Sequence, residues 1–291
     1  MADFAIYTAL VGNYDEIMQP VVVDERFDYV LFSNDVKSEN VGVWSVRRIP
    51  DVIKNDNKRL SRYPKSHPET MLADYKASLY IDANIQIQDQ WVYERFLELY
   101  NKQIEYAGVK LVLTGRDCIY DHAFDMCRWL VVHDYEAIKQ CHKLYKLGFP
   151  HHFGLNENNI IFRKHTERMK ETDEEWWDWI LNNTCRDQLS YMYCIWKHKI
   201  PLNYFLPEGE DARNGSHFHL VNHDGQLVVI KTKIIKRGLF EKIRIKCMSY
   251  DTKNSLERWT RIYKSSLPVA YLYFDGIINI IRNIPHLLKL I

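Results

Sequence analysis

Short apolar runs that stop abruptly at polar residues constrain this chain more than any other feature. F-A-I-Y-T-A-L-V at residues 4–11 is almost continuously apolar and halts at Gly12, the pattern of a strand buried on both faces. S-L-Y-I at residues 78–81 likewise runs straight into Asp82, with Asn84 two positions further on. Y-V-L-F at residues 29–32 and V-W-S-V at 43–46 read as the neighbouring strands, and V-K-L-V-L-T at 109–114 and N-N-I-I-F-R at 158–163 as later ones. Helical spacing occupies residues 91–100, 134–147 with Asp134 as its cap, 171–180, and 187–198. Strands alternating with helices predict an α/β fold, a sheet with helices packed against it.

The carboxyl end of such a strand is where chemistry is expected, because ligands of open α/β sheets bind there. A strand that delivers the Asp82 carboxylate and the Asn84 amide oxygen to its polar end can hold a hard divalent cation and, through it, a diphosphate. An ordinary turn fits the same two residues, since Asp and Asn dominate turns. Thr8, Gly12, Tyr14 and Asp15 cluster where the first strand ends and form a candidate nucleoside pocket. Neither G-x-G-x-x-G after a strand nor G-x-x-x-x-G-K-[ST] occurs, which argues against dinucleotide and P-loop proteins.

Upstream of Asp82 lies a basic stretch, residues 55–76, with Lys58, Arg59, Arg62, Lys65 and Lys76. Cations near a metal would neutralise a diphosphate leaving group; a solvated basic face is the alternative. After the run 109–114, T-G-R-D-C-I-Y-D-H-A gathers Arg116, Asp117, Asp121 and His122, a cluster suited to sugar hydroxyls. C-R-D-Q-L-S-Y puts Asp187 and Gln188 at a helix start, where Asp187 is either an N-cap or the base for an attacking hydroxyl. His217 and His219 alternate on a strand pattern, with His223 beyond, and His219 is a candidate late metal ligand.

Composition narrows the classes. The net charge of +1 gives no pull toward nucleic acid, and no such partner is expected. The six cysteines, Cys118, Cys127, Cys141, Cys185, Cys194 and Cys247, form neither C-x-x-C pairs nor zinc spacings, as expected of free thiols in a reducing cytoplasm. Residues 1–15 lack the basic start of a signal peptide, and no run of about 18 apolar residues is present, so a cytoplasmic protein is expected. From Lys231 onward basic and apolar residues alternate and the tail ends in an apolar run. That composition suits peripheral attachment to the inner face of a membrane, or two helices completing the core.

In order, Y-T-A-L-V-G-N-Y-D, Y-V-L-F-S-N-D, Y-I-D-A-N-I, R-D-C-I-Y-D-H-A, N-N-I-I-F-R and W-W-D-W-I-L-N-N-T-C-R-D-Q-L-S-Y resemble a glycosyltransferase-like family once filed as a domain of unknown function. Its members resemble GT-A nucleotide-sugar transferases and occur in bacterial polysaccharide clusters and in plant Golgi proteins. The likeness covers roughly residues 4–193. It implies a GT-A-like, Rossmann-type mixed sheet over residues 1–222, with 223–291 as a helical, basic and apolar extension. It also implies a D-x-D-like motif at Asp82 and Asn84 for Mn²⁺ or Mg²⁺, and an acceptor half containing Asp187. Thr8, Gly12 and Tyr14 map to the nucleotide pocket, Arg116 and Asp117 to the sugar pocket. The chain departs from the pattern at Asn84, a neutral oxygen ligand, and at His122, where Glu is expected.

The expected function is therefore metal-dependent hexosyl transfer from a UDP-linked donor to a surface polysaccharide, of capsule or lipopolysaccharide type, or to a lipid-linked oligosaccharide. Asp187, Arg116 and Asp117 are the candidate catalytic residues. Thr8, Gly12, Tyr14, Arg59, Arg62, Lys76, Asp82 and Gln188 would hold the donor, and Asp82, Asn84 and His219 the metal. Asp187 acts as base if the reaction inverts and orients donor or acceptor if it retains. A nucleotidyltransferase and a non-catalytic sugar-binding or scaffolding protein of the same fold are the rivals.

Overall fold

A computed structural model describes residues 2–12, 16–221, 238–250 and 252–284. Among them the strands are β1 Phe4–Ala9, β2 Phe27–Phe32, β3 Asn40–Val41, β4 Trp44–Arg47, β5 Ala77–Ile81, β6 Ile85–Ile87, β7 Tyr106–Ala107, β8 Ile160–Lys164 and β9 Phe218–Leu220. The helices are α1 Asn57–Leu60, α2 Pro68–Met71, α3 Trp91–Asn101, α4 Ile119–Arg128, α5 Asp134–Lys146, α6 Glu167–Asn182, α7 Tyr191–Lys197, α8 Leu239–Tyr250, α9 Thr252–Lys264 and α10 Pro268–Arg282. Single 3-10 turns cover Pro64–Ser66 and Asp187–Leu189. The chain forms two compact units, residues 1–115 with 155–229, and residues 116–154 with 230–291.

The first unit is built on a seven-stranded mixed sheet in the order β3-β4-β2-β1-β5-β8-β7. Strands β4, β2, β1 and β5 are parallel neighbours, β3 pairs antiparallel with β4, and β8 pairs antiparallel with both β5 and β7. After β1 the chain builds outward through β2 and β4, then returns to place β5 on the other side of β1. That reversal puts the switch point of a Rossmann-like sheet, where ligands of such sheets bind, at the carboxyl ends of β1 and β5. The strands are apolar on both faces because both are covered: every residue of β5 is buried, as are five of the six in β1. On one face Phe4, Phe27 and Phe162 pack edge-on against Phe96 of α3 or tilt against each other.

On the other face a buried ion pair ties α6 to the sheet. Arg163 of β8 donates to Asp173 of α6 at 2.6 Å and to the Tyr7 hydroxyl of β1 at 2.7 Å, with no side-chain surface exposed on Arg163. Glu69 of α2 lies near this pair with both carboxylate oxygens buried and without a hydrogen-bond partner among the described residues. Burial first, and then the charge of Asp173, push its carboxyl up to about 8, against the pull of Arg163. Glu69 therefore takes up a proton on folding. Its contribution to stability is complete below the ordinary value of 4.5 and is lost as pH rises through about 8. Between about pH 6 and about pH 9 the native Tm is expected to fall by several degrees more than that of Glu69→Gln. Parallel pH profiles of the two Tm values would refute this linkage.

The second unit is helical. Arg244 of α8 is buried and grips Asp134 of α5 with two hydrogen bonds of 2.7 and 2.6 Å, its guanidinium lying over the Phe240 and Tyr273 rings. Gly276 lets α10 approach this side chain: a Cβ there would lie 2.5 Å from Arg244 Cδ. Trp259 of α9 donates to the Tyr120 carbonyl of α4 at 3.2 Å, and Tyr263 stacks on the Tyr120 ring at 4.9 Å.

Several sequence expectations are corrected here. Asp134 is not a cap, because its carboxylate is committed to Arg244 and His133 takes the cap position instead. Residues 109–114 form no strand. Val109 and Leu111 bond to Glu157 and Leu155, and the pairing remains an isolated bridge at Lys110 and Asn156. The edge beside it is broken by Asn158, which adopts a left-handed φ of 61°. The continuous helix expected over residues 187–198 is a 3-10 turn followed by α7.

Candidate active site

Everything that assembles the site lies at the carboxyl end of β5. The Asp82 amide donates to the Asn159 carbonyl at 2.9 Å, and the Ile85 amide to the Asp82 carbonyl at 2.9 Å, so a tight turn closes directly after the strand. The Tyr80 hydroxyl donates to Asp82 Oδ1 at 2.8 Å, and the Asp82 side chain remains 40% exposed. Segment 57–71, held in short helical turns, brings Lys65 in from one side. Pro64 starts the 3-10 turn that carries it, with the fixed φ that suits a first helical position.

Lys65 is 4% exposed, and its ammonium lies 4.8 Å from the centre of the Tyr80 ring. It donates to Asp187 Oδ2 at 2.7 Å and stands 3.6 Å from Asp82 Oδ1. Asp187 is fixed from behind. The Trp176 indole of α6 donates to its carbonyl at 3.2 Å, Trp176 stacks on Tyr191 of α7 at 3.8 Å, and Gln188 donates its amide to Asp187 Oδ1 at 3.0 Å. One buried ammonium thus joins the end of β5 to the 3-10 turn Asp187–Leu189.

The charges around this pair are lopsided. Burial would raise the Asp187 carboxyl, but the charges of Lys65, Arg62 and Arg186 and the hydrogen bond from Lys65 outweigh it and hold the group well below the carboxylate range. Burial in turn lowers the Arg186 guanidinium, with Asp187 and Asp82 opposing and Arg62 adding to the effect. Arg62, Lys65 and Arg186 thus all act on Asp187, and Asp82 and Asp187 both act on Arg186. A carboxylate with so stable an ionised form accepts a proton weakly.

Unpaired polar groups surround the charges. Among the described residues Thr8 Oγ1, Arg186 Nε, Asn159 Oδ1 and both side-chain polar atoms of Asn158 are buried without a partner. Native proteins leave few such groups unsatisfied, and a bound ligand is one explanation for a concentration of them. Asn159 stands across the strand pair from Asp82, one step beyond the Ile81–Ile160 register. Its amide donates to Glu157 Oε2 at 2.9 Å, and Gln188 donates to the Glu157 carbonyl at 2.7 Å. Arg213 closes the group on Glu157 at 2.7 Å. Burial raises the Glu157 carboxyl and the Arg213 charge opposes that rise.

The arrangement is a cationic, partly desolvated niche with unpaired amides at a sheet switch point. The model of the family described as TOD1/MUCI70, glycosyltransferase-like domain, matches residues 2–216 of this sequence. The chain belongs to that family. No curated protein matches it. The family domain accounts for the whole sheet, for Lys65, Asp82 and Asp187, and for α4 and α5; it stops before α8.

Within this glycosyltransferase-like domain the structure brings together Arg62, Asp82, Asp187 and Gln188 of the residues expected from sequence. Gly12, with φ of 96°, donates its amide to Asp35 Oδ2 at 2.7 Å after β1; Tyr14, Asp15 and His223 lie outside the described residues. Asn84 donates to the Val221 carbonyl at 2.9 Å, which ties the turn after β5 to β9, the strand that carries His219 opposite Gln86. His217 is turned to Asp89 at 2.9 Å and stacks on Trp91 at 3.9 Å. Two basic residues are not at the site. Arg59 donates to the Ile180 and Asn183 carbonyls and so caps the carboxyl end of α6. Lys76 pairs with Asp3 at 2.6 Å at the opposite end of β5, about 20 Å along the strand from Asp82.

Arg116 and Asp117 belong to the second unit, where Arg116 binds Asp125 at 2.8 Å and Asp117 meets His152 at 2.7 Å. Lys65, Arg186, Asn158 and Asn159 are the residues that sequence reasoning left out of the site. Each stood inside a stretch already singled out: the basic run, C-R-D-Q, and N-N-I-I-F-R.

Proposed function

We propose that this chain is a GT-A-type glycosyltransferase that moves a hexosyl group from a UDP-linked donor to a glycan or lipid-linked glycan acceptor. The observation that carries this reading is Lys65, buried between Asp82 and Asp187 at the switch point between β1 and β5. With Arg62 and Arg186 it gathers positive charge where a diphosphate would lie, and charge of that kind favours departure of the diphosphate as the glycosidic bond breaks. Its weak basicity suits Asp187 to orienting Lys65 rather than to removing a proton. The unpaired atoms of Thr8, Asn158 and Asn159 are available to donor hydroxyl or base groups.

Mn²⁺ or Mg²⁺ fits the same place in an open manner. Among the described residues no three His, Cys, Asp or Glu side chains form a closed site. Such ions are, however, commonly held by one or two protein oxygens together with substrate phosphates. Asp82, half open to solvent, and the Asn84 amide oxygen would be those protein ligands, with His219 on the strand that Asn84 grips. When bound, the ion would supply further neutralisation of the diphosphate.

Thermal stability across a panel of nucleotide sugars, with Mn²⁺ and with chelator, tests the reading. One donor at about 100 times its Kd should raise Tm by about 5–10 °C, and Asp82→Ala should abolish the shift. Incubation with that donor and acceptor glycans should release nucleoside diphosphate. Release of pyrophosphate, or no shift with any donor, would overturn the assignment.

A further inference from the structure

The two units differ sharply in charge. The second unit carries a net +9, all of it from residues 230–291, where thirteen Lys and Arg stand against four Asp and Glu. The first unit, with the whole chain at +1, carries −8. Within the basic unit, α10 has one buried face, Leu272, Gly276 and Asn279, and one exposed face that is almost wholly apolar. Leu267, Tyr271 and Phe274, then Ile277, Ile281 and Ile284, recur at three- and four-residue steps opposite the buried side. Phe274 and Ile281 are each 59% exposed and Ile277 is 49% exposed. A continuous stripe of large apolar side chains of this kind is uncommon on a surface that stays in water.

We propose that this face of α10 docks on an anionic lipid surface, with the helix lying in the plane of the interface. No helix among the described residues is long and apolar enough to cross a membrane, and fifteen residues of α10 span only about 22 Å. An interfacial helix, by contrast, needs an apolar face, aromatic residues among it, and cations nearby to meet lipid phosphates. Tyr271 and Phe274 supply the rings. Lys242 and Lys246 of α8, Arg261 and Lys264 of α9, and Arg282 of α10 are exposed cations on the same unit. Charge selects this occupant: a second copy would set +9 against +9, whereas each basic residue near an anionic leaflet favours binding. The proposal is independent of the transferase reading.

Flotation of the full chain with vesicles tests it. Phosphatidylcholine vesicles with about one third phosphatidylserine should carry the protein upward at about 0.1 M salt, and raising salt to about 0.5 M should release most of it. Phe274→Ser/Ile277→Ser/Ile281→Ser should lower the partition coefficient at least tenfold while leaving the far-UV circular dichroism unchanged. Ile277→Ser alone, with an unaltered Tm, serves as the check that loss of binding is not loss of folding. Flotation equal in native and triple variant, absence of flotation with anionic vesicles, or equal flotation with neutral vesicles would overturn the proposal. So would concentration-dependent dimerisation that the triple variant abolishes without any vesicle binding.

Discussion

Lys65→Met should reduce kcat/KM for sugar transfer by at least about a thousandfold, about 4 kcal/mol of transition-state stabilisation. The ammonium stands 2.7 Å from Asp187 and 3.6 Å from Asp82, so its removal takes a cation from the leaving-group niche and strands Asp187 in a buried position. The second effect is structural and must be separated from the first. Breaking a buried pair from one side costs roughly 3–5 kcal/mol, because an uncompensated charge is left behind. Lys65→Met/Asp187→Asn removes both charges and is therefore expected to recover much of the lost stability while remaining inactive. Recovery of transfer in the double variant would mean that the pair only holds the fold. Full activity of Lys65→Met would remove the basis of the proposed function.

Arg163→Met is expected to destabilise the first unit by roughly 3–5 kcal/mol, or a Tm lower by about 10 °C. Arg163 has no exposed side-chain surface; its loss leaves Asp173 charged inside the unit and the Tyr7 hydroxyl without its donor. Denaturant unfolding of Arg163→Met and of Arg163→Met/Asp173→Leu distinguishes the mechanisms. The double variant should regain at least half of the loss, since a well-packed apolar pair can replace a buried ion pair at little cost. A single variant within about 1 kcal/mol of native would show that the pair contributes little to stability.

Much of the sheet was legible because its signal is local. The run at residues 4–11 became β1, 29–32 became part of β2, and 91–100 became α3, each with ends shifted by a few residues. Periodicity within one element records which faces are covered, and β1, buried on both, reads as continuous apolar sequence. The run at 109–114 has the same local character yet forms no strand, since a strand needs a regular partner and the facing segment turns away at Asn158. Local propensity has no access to that partner.

The site divides along the same line. Asp82 was recognisable from its place at the end of an apolar run, and Asp187 from the polar start after residue 185, because each marks the boundary of an element. Which of five basic residues in the run 55–76 meets them was not, since Arg59, Arg62, Lys65 and Lys76 differ little as sequence. Tertiary structure alone sends Arg59 to the end of α6, Lys76 to the far end of β5, and Lys65 between the two carboxylates 122 residues apart from its closer partner. Sequence by itself determined the α/β class, the strand end that bears Asp82, the helical start that bears Asp187, and the basic, apolar character of the carboxy-terminal helices. Only the fold decided which charges neutralise one another, because ion pairing depends on distances of a few ångströms set by long-range packing.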